Sequence, residues 1–435
     1  MEIIIMITQL VLGLSILVGV HELGHMLSAK YFGMRVEKFS IGFPPKLVGF
    51  KKGETEYSIG AIPLGGFVKI SGMVDESMDT ETLKAEPKPW EFRSKPAWQR
   101  LIVMLGGIIV NVIVAFIINI GLCSIVGEEY ISIDEINKYG IVAKPIAQQI
   151  GFETGDKIVA VNGHTIDDIS ELSEALLNQN GSITIERNGI EKVISIPSDV
   201  LDKLVEKNAT GFIEPIAPYK VASVLKSSNA DKGGLKDGDS ILQVNGKNVP
   251  FYHVLKAELL ANKSKKVEML VYRDHAEEKL TIEVDSAGLI GFAAQQLIQT
   301  STRKFTLIES IPRGISNSIK VVTDQVKAFT KIFKGELKAS NSVGSFFSIG
   351  KAYGGDWDWV RFWSLTATLS MVLAFMNLLP IPALDGGHVM FLLYEIISGR
   401  KPSDTFLENA QKVGMAILLA LMLFAISNDV IRNFF

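Results

Sequence analysis

Four long apolar segments constrain the fold of this chain more than any other feature. They cover residues 3–20, 101–126, 362–379 and 413–426, and the last could extend through Gln411 and Asn428. A helix needs about 20 apolar residues to cross the hydrocarbon core of a bilayer. Hydrophobic residues make up 47% of the chain and charged residues only 21%. The sequence therefore predicts an α-helical polytopic membrane protein with about four spans and water-exposed modules between them.

The first apolar segment has a second interpretation, a cleaved signal peptide. Signal peptides carry a basic N-terminal region and a cleavage site of small residues. Here only Glu2 is charged near the start, and the sequence HELGH (21–25) stands where the cleavage site should be. We therefore expect this segment to be a retained span.

Basic residues predict the orientation of the spans. They cluster in the segment after the first span and after the third: Lys30, Arg35, Lys38, Lys46, Lys51, Lys52, Arg400 and Lys401. Segments rich in Lys and Arg stay on the cytoplasmic side. Both termini and residues 127–360 should then lie outside the cytoplasm.

Net charge and cysteine content argue against nucleic-acid binding and against a disulfide-stabilised fold. The formal net charge of −3 gives no electrostatic drive toward nucleic acid, so we expect no nucleic-acid partner. The only cysteine, Cys123, lies in an apolar run and cannot form an intramolecular disulfide.

The insert between the second and third spans contains an internal repeat. The sequence GFETGDKIVAVNG (151–163) aligns with GLKDGDSILQVNG (234–246), with glycine, Gly-Asp and Asn-Gly at matching positions. Gly-Asp before an alternating apolar strand and Asn-Gly after it indicate a turn, a strand and a second turn. Both copies resemble bacterial PDZ domains, which bind extended peptides at a sheet edge. Peptide binding and a ligand-free spacer both remain open for this pair.

An amphipathic helix is predicted after the repeats. Apolar residues recur at spacings of three and four from Ile311 to Phe333, and lysines fall on the opposite face. Pro312 should lie near the first turn. Such a helix could rest on the membrane surface or pack its apolar stripe on the two PDZ-like domains.

The HELGH sequence has the spacing of a metal site. On a helix, His21 and His25 lie one turn apart on the same face and can share one metal, while Glu22 projects beside them as a proton acceptor. The alternative is that these are merely polar residues at the wet end of a span. However, histidine and glutamate are costly near hydrocarbon and usually mark function.

Zinc needs a third protein ligand, and the best candidate lies far downstream. Asp385 is a lone carboxylate after an apolar run that Pro380 and Pro382 interrupt. Irregular backbone at membrane depth is tolerated where it lines a cavity or is buried in protein. Asp385 could instead be only the N-cap of a restarting helix. The two motifs support each other, because each supplies what the other lacks.

Residues 36–70 read as short strands with Gly and Pro turns. A sheet edge there could hold an unwound substrate as an added strand, and we expect contacts from Ile62, Gly65, Gly66, Phe67 and Val68. The alternative is an ordinary cytoplasmic hairpin domain.

These motifs together resemble the site-2 protease family of intramembrane zinc metalloproteases. The resemblance rests on HELGH in the first span and NLLPIPALDGG (377–387) in a late one, with FSIGF (39–43), TEYSIGAIPLGGFVKI (55–70) and the paired PDZ-like repeats of its bacterial branch. It implies His21, His25 and Asp385 as Zn²⁺ ligands and Glu22 as general base. It also implies that the Asn377 amide stabilises the developing oxyanion, although Asn377 could instead cap the broken helix.

The same resemblance implies a location, a substrate and a cellular role. The protein would be a multi-pass protein of the bacterial inner membrane, with the PDZ-like domains in the periplasm and the active site near the cytoplasmic side. The substrate would be the span of a single-pass membrane protein in the bilayer, an anti-sigma factor already trimmed by another protease or a remnant signal peptide. Sequence specificity among apolar spans is poor, so the insert is expected to act as a size filter. The rival interpretation is a membrane scaffold without proteolytic activity, whose PDZ pair recruits partners.

The predicted organisation follows from these motifs. It comprises a first transmembrane helix with HELGH (1–30), a cytoplasmic, membrane-associated β-hairpin region (31–98), a second transmembrane helix (99–126), two inserted PDZ-like α+β domains (127–213 and 214–305), an amphipathic helical segment (306–356), a third transmembrane region with Leu-Asp-Gly-Gly (357–398) and a fourth transmembrane helix (399–435).

Overall fold

A computed structural model describes residues 1–73, 86–169, 171–172, 181–197, 212–334 and 346–434. Parts of the predicted hairpin region, of the first PDZ-like domain and of the amphipathic segment therefore lie outside the described residues. The chain forms two compact units, one of Met1–Gly127 with Lys304–Phe435 and one of Glu128–Arg303.

The first unit is helical. Its helices are α1 (Glu2–Tyr31), α2 (Ala97–Ile125), α3 (Leu307–Phe333), α4 (Phe346–Tyr353), α5 (Trp359–Leu378), α6 (Asp385–Ser398) and α7 (Asp404–Phe434), with a short 3-10 turn at Phe92–Ser94. Four of them, α1, α2, α5 and α7, are long and apolar enough to cross a membrane. The four predicted spans are confirmed as helices, and α1 continues without interruption through HELGH.

Small residues allow α1 and α2 to approach closely. A side chain on Gly24 would overlap the backbone of Gly106, and one on Gly106 would overlap that of Gly24. Glycines are common where membrane helices cross. The hydrophobic effect does not drive helices together in lipid, so their association depends on close van der Waals packing of the backbones. The crossing lies within HELGH, so it also fixes the position of the two histidines relative to α2.

Two polar contacts attach the C-terminal helices to α2. The Ser370 hydroxyl on α5 donates to the backbone carbonyl of Asn111, at 2.8 Å and fully buried. Arg100 near the start of α2 forms an ion pair with Glu395 on α6, at 2.5 Å. Helices from the two ends of the sequence are thus held together around α2.

The amphipathic helix α3 differs from its prediction in start and in placement. It begins at Leu307, before the expected Ile311, because Thr306 and Glu309 form a capping box. Pro312 consequently lies inside the helix and not in its first turn. The helix packs along α2 and α5: Asn119 donates to the Ser318 hydroxyl at 2.7 Å, and the Phe329 and Phe375 rings are 5.8 Å apart. This packing on the spans was not among the placements expected.

The region after α1 is a folded β-hairpin. Strands β1 (Val36–Lys52) and β2 (Thr55–Ile70) are antiparallel. The first part of β1 pairs with residues 66–70 on one side and with residues 56–59 on the other, because the hairpin doubles back on itself. The four short strands of the prediction are therefore halves of two long ones, and residues 66–70 form an edge of the described sheet.

The second unit contains two copies of one α+β arrangement. In the first copy, β4 (Ile141–Ala143) pairs with β9 (Ile213–Pro215). The same copy has a four-stranded sheet made of β5 (Lys157–Val161), β6 (His164–Thr165), β7 (Ser182–Arg187) and β8 (Ile190–Ser195), in the order β6-β5-β7-β8. The second has β10 (Tyr219–Val224) paired with β15 (Phe292–Gln296) and a sheet of order β12-β11-β13-β14, made of β11 (Ser240–Val244), β12 (Lys247–Asn248), β13 (Lys266–Arg273) and β14 (Ala276–Glu283).

Short elements complete this unit. Helices cover Ile133–Asn137, Pro145–Gln149, Asn229–Lys232 and Tyr252–Ala261, and β3 (Glu128–Tyr130) pairs with β16 (Ser301–Arg303). The chain therefore enters and leaves the unit through adjacent strands.

The turn residues identified in the repeat adopt matching conformations. Asn162 and Asn245 both have φ of 51°, and the glycine after each is also in the left-handed region, as in the two-residue turn that suits an Asn-Gly hairpin. The repeated aspartates are buried, and each bonds an arginine: Asp156 to Arg187 and Asp239 to Arg273. Identification of the two copies as PDZ domains remains a prediction.

Candidate active site

Helix α1 brings His21 and His25 together. Their Nε2 atoms are 3.2 Å apart, as expected for residues one turn apart on one face. His25 is buried, and its Nδ1 lies 2.8 Å from the Val103 carbonyl of α2. Gly107 of α2 lies against both imidazoles, since a side chain there would overlap them. The α1–α2 crossing thus sets the position and rotation of both rings.

Asp385 joins the histidines from the far end of the sequence. Helix α5 ends at Leu378, and α6 begins at Asp385 after a segment that contains two prolines. The Asp385 Oδ2 atom lies 3.1 Å from His21 Nε2 and 3.3 Å from His25 Nε2. The N-cap residue of α6 is Leu384, with no side-chain cap bond. Asp385 therefore does not act as the N-cap, and its carboxylate is directed at the histidines.

The hydrogen-bond pattern fits a bound cation. A carbonyl can only accept, so His25 Nδ1 carries hydrogen and the neutral ring presents a lone pair at Nε2. That lone pair faces His21 Nε2 and the Asp385 carboxylate, and Asp385 Oδ2 is buried without a satisfying donor in the described structure. Ligands at about 2.0–2.1 Å around a tetrahedral zinc stand roughly 3.3 Å apart. The three observed separations match this value, so these residues could hold zinc.

Glu22 lies between the histidines and the hairpin. Its side chain is next to Gly66, where an added Cβ would stand 3.5 Å from Glu22 Cγ, and the Val68 backbone is beside its carboxylate. Gly66 has no room for a side chain, because Cβ would also stand 2.6 Å from the Ser40 carbonyl oxygen. The hairpin edge and the candidate base are therefore in direct contact.

Asn377 lies in the last turn of α5, and its side-chain nitrogen is 3.3 Å from His21 Nε2. The amide therefore points to the same place as the three ligand atoms. This orientation favours a role at the reacting centre over capping of the broken helix.

A cavity of about 580 Å³ connects these groups. It is lined by all five predicted catalytic and metal residues and by Gly66, Phe67 and Val68 of the hairpin edge. Ile62 and Gly65 are not among its lining residues; Ile62 is exposed, and Gly65 packs against the Phe43 ring. Their assignment as substrate contacts remains a prediction without support from this cavity.

The sequence reasoning missed two polar residues near the ligands. His388 lines the cavity one helical turn after Asp385, a spacing visible in the sequence DGGH. Asn111 on α2 is fully buried, with its side-chain nitrogen 3.3 Å from His21 Nδ1. The available signal was an asparagine within an uncharged apolar span, because such a residue needs a buried partner; Asn119 is the other asparagine of that span.

Comparison with known proteins agrees with this geometry. The chain is 31% identical to a protein of Vibrio cholerae serotype O1 that is named as a zinc metalloprotease, over 97% of both chains. It is 29% identical to the regulator of sigma E protease of Haemophilus influenzae, over 97% of this chain and 98% of that protein. A zinc metalloprotease by name from Xylella fastidiosa is 28% identical over 97% and 98% of the two chains.

The family profile covers nearly the whole chain. The profile of peptidase family M50 matches residues 9–421, a range that includes both the α1 motif and the α6 motif. Together with four helices suited to cross a membrane, this match identifies the chain as a multi-pass membrane zinc metalloprotease of the site-2 type, a member of peptidase family M50.

Proposed function

We propose that this protease cleaves peptide bonds within the membrane spans of single-pass proteins, with zinc held by His21, His25 and Asp385. The observation that carries the proposal is the convergence of three ligand atoms beside Glu22, at 3.1–3.3 Å from one another, from the first and the sixth helix of the unit. A scaffold would have no need for this arrangement.

The residues divide the chemistry among them. Zinc held by His21, His25 and Asp385 would supply Lewis-acid chemistry to the scissile carbonyl and to the attacking water. Glu22 accepts the proton of the attacking water and passes it to the leaving amine. The Asn377 amide donates a hydrogen bond to the oxyanion as charge develops. The Val103 carbonyl holds His25, and Gly107 of α2 lies against both imidazoles.

The site assignment is tested by measuring zinc and cleavage on the same purified variants. Glu22→Gln should keep about one zinc per chain and lose cleavage, since all ligands remain. His25→Ala and Asp385→Ala should lose both. Substantial cleavage by Glu22→Gln would exclude the general-base role, and full zinc occupancy in His25→Ala would exclude the ligand set. A metal-free, inactive wild-type protein would favour the scaffold alternative.

The hairpin edge supports a mechanism for presenting the substrate. A helical span has its backbone groups paired internally, so its scissile bond must unwind before hydrolysis. Residues 66–70 lie at a sheet edge, and all five line the cavity beside Glu22. An unwound substrate segment can pair there as an added strand, which holds the peptide extended by main-chain hydrogen bonds.

For the substrate we propose a pre-trimmed anti-sigma factor, with remnant signal peptides as a second class. The name of the Haemophilus influenzae relative, regulator of sigma E protease, supports this choice. The test is proteomics of membrane fragments that accumulate in cells carrying Glu22→Gln. Accumulation of a single-span anti-sigma fragment is expected, and enrichment of other membrane proteins alone would reject it.

For topology we propose an inner-membrane protein with residues 128–303 in the periplasm and the active site near the cytoplasmic side. A cysteine at Lys51 should be protected from an impermeant thiol reagent in cells with a permeabilised outer membrane, and one at Lys247 should react. The reverse labelling pattern would invert the orientation.

A further inference from the structure

The Asn111 side chain is placed to control His21. Asn111 is fully buried on α2, its side-chain nitrogen is 3.3 Å from His21 Nδ1, and its Oδ1 atom has no hydrogen-bond partner among the described residues. A buried amide oxygen without a partner costs about 1–3 kcal/mol. Such an atom beside a candidate metal ligand needs an explanation.

The explanation follows from the tautomer of His21. Its Nε2 atom faces Asp385, His25 and Asn377, so Nε2 is the nitrogen that would bind metal. The lone pair at Nε2 is then used by the metal, and the hydrogen of the neutral ring must be on Nδ1. An N–H at Nδ1 faces the Asn111 amide and requires an acceptor there.

An asparagine amide can form a hydrogen bond with either neutral tautomer of His21, because it has both a donor and an acceptor. In the orientation that the structure shows, the Asn111 NH₂ donates to Nδ1, which leaves the hydrogen of His21 on Nε2, beside Asp385. Rotation of the amide by half a turn brings Oδ1 to Nδ1–H. The oxygen and nitrogen of an amide have nearly the same shape, so this rotation needs no repacking.

The backbone of Asn111 is independently fixed. The Ser370 hydroxyl of α5 donates to the Asn111 carbonyl at 2.8 Å, and both residues are fully buried. Asn377, whose amide also faces His21, lies two turns further along the same helix. Asn111 is therefore held at the junction of α1, α2 and α5, with its side-chain nitrogen beside His21 Nδ1.

We propose that Asn111 is a positioning residue for zinc: its side-chain oxygen accepts the Nδ1 hydrogen of His21 and so orients the Nε2 lone pair toward the metal. Histidine ligands generally donate their second ring nitrogen to such an acceptor, and loss of the acceptor typically weakens metal binding by about 10–100-fold. For His25, the Val103 carbonyl is already the acceptor of the Nδ1 hydrogen. The proposal rests on the proposed ligand set.

The test measures zinc affinity by chelator competition on the purified full-length chain. Asn111→Leu removes the acceptor with little change in volume, and its zinc dissociation constant should rise about 10–100-fold. Asn111→Asp keeps an acceptor and should stay close to the wild type. Asn119→Leu is the matched control, because Asn119 lies on the same helix and bonds Ser318, far from His21. The melting temperatures of the metal-free variants report any general loss of fold.

The outcomes separate this proposal from the ligand assignment. Weakened zinc binding in Asn111→Leu, with normal binding in Asn111→Asp and Asn119→Leu, supports the positioning role. Wild-type affinity in Asn111→Leu, or an equal loss in Asn119→Leu, overturns it. If His25→Ala also retains zinc, then the ligand set itself is wrong; if His25→Ala loses zinc while Asn111→Leu keeps it, only the role of Asn111 fails.

Discussion

Gly107 of α2 lies so close to His25 that an added Cβ would stand 2.5 Å from its Nε2 atom and 2.6 Å from Cε1 of His21. One glycine thus leaves room for both imidazoles of the proposed metal site. The backbones of α1 and α2 are in contact at Gly24 and Gly106, so a movement of α2 away from α1 to accommodate a larger residue would lose this close packing.

Gly107→Ala should therefore weaken zinc binding by about 5–150-fold and reduce cleavage in proportion, since overpacking costs about 1–3 kcal/mol. Alanine is otherwise the better helix former, so the secondary structure should not suffer. Gly121→Ala is the control: Gly121 is on the same helix and has no neighbour within 4 Å of an added Cβ. The expectation is checked by measuring zinc affinity and cleavage of the two variants side by side. Equal values for both variants would show that the imidazoles can shift to accommodate the added methyl group.

The hairpin edge gives a second prediction. The Ser71 N–H donates to the Arg35 carbonyl, on the β1 side, so by alternation along the strand the N–H of the preceding residue, Ile70, points away from β1. Ile70 lines the cavity, and Ile70→Pro removes that donor without removing a ladder bond of the hairpin. Cleavage should be about 2–13-fold slower in Ile70→Pro than in Ile70→Ala, because one backbone hydrogen bond contributes about 0.5–1.5 kcal/mol.

The alanine variant is needed because Ile70 is buried and both substitutions remove its side-chain packing. Zinc content should be normal in each. If Ile70→Pro cleaves a membrane substrate as fast as Ile70→Ala, then the edge does not pair with the substrate through this residue.

The repeated aspartates carry a prediction about stability. Asp156 is 1% exposed and bonds Arg187 through both of its oxygens, and these bonds raise the pKa of Arg187 above its usual value, so the guanidinium stays charged. Asp156→Ala leaves that charge in a half-buried place without its main partner, at a cost of about 3 kcal/mol. Hydrogen exchange of the full chain should become faster in β5 and β7.

Exchange in the second copy should stay slow, and Asp239→Ala should give the mirror result through Arg273. Glu186→Ala is a suitable control, since its pair with Lys157 is exposed at 3.7 Å and such pairs contribute at most about 1 kcal/mol. A uniform increase of exchange in both copies after either aspartate substitution would mean that they unfold as one unit.

Local patterns were sufficient to predict most elements but not their tertiary placement. Apolar length identified the four spans, and Gly-Asp and Asn-Gly identified the repeated turns, because these features act over a few residues. The pairing of HELGH with Asp385 was also predictable, since zinc chemistry demands a third ligand. Packing of α3 on α2 and α5 and the contact of Asn111 with His21 depend on helix neighbours, which no local pattern specifies.

The last prediction concerns the function of residues 128–303. A protease that cuts spans must not attack every passing single-span protein, and apolar spans offer few side chains by which to tell them apart. Selection must then come from the parts of the substrate outside the bilayer. We propose that the inserted unit acts as a size filter, which rejects substrates with a bulky external domain and admits trimmed ones.

The structure indicates how to remove the filter cleanly. Glu128 and Arg303 are paired across β3 and β16, so the chain enters and leaves the unit at points about 5 Å apart. A short linker from Gly127 to Lys304 should therefore replace the unit without pulling on α2 or α3. The shortened protein should keep its zinc, cleave trimmed substrate at the normal rate, and also cleave the untrimmed substrate that the full-length protein rejects. Loss of cleavage of the trimmed form, with zinc retained, would instead mean that the unit recruits the substrate, because the catalytic residues all lie outside it.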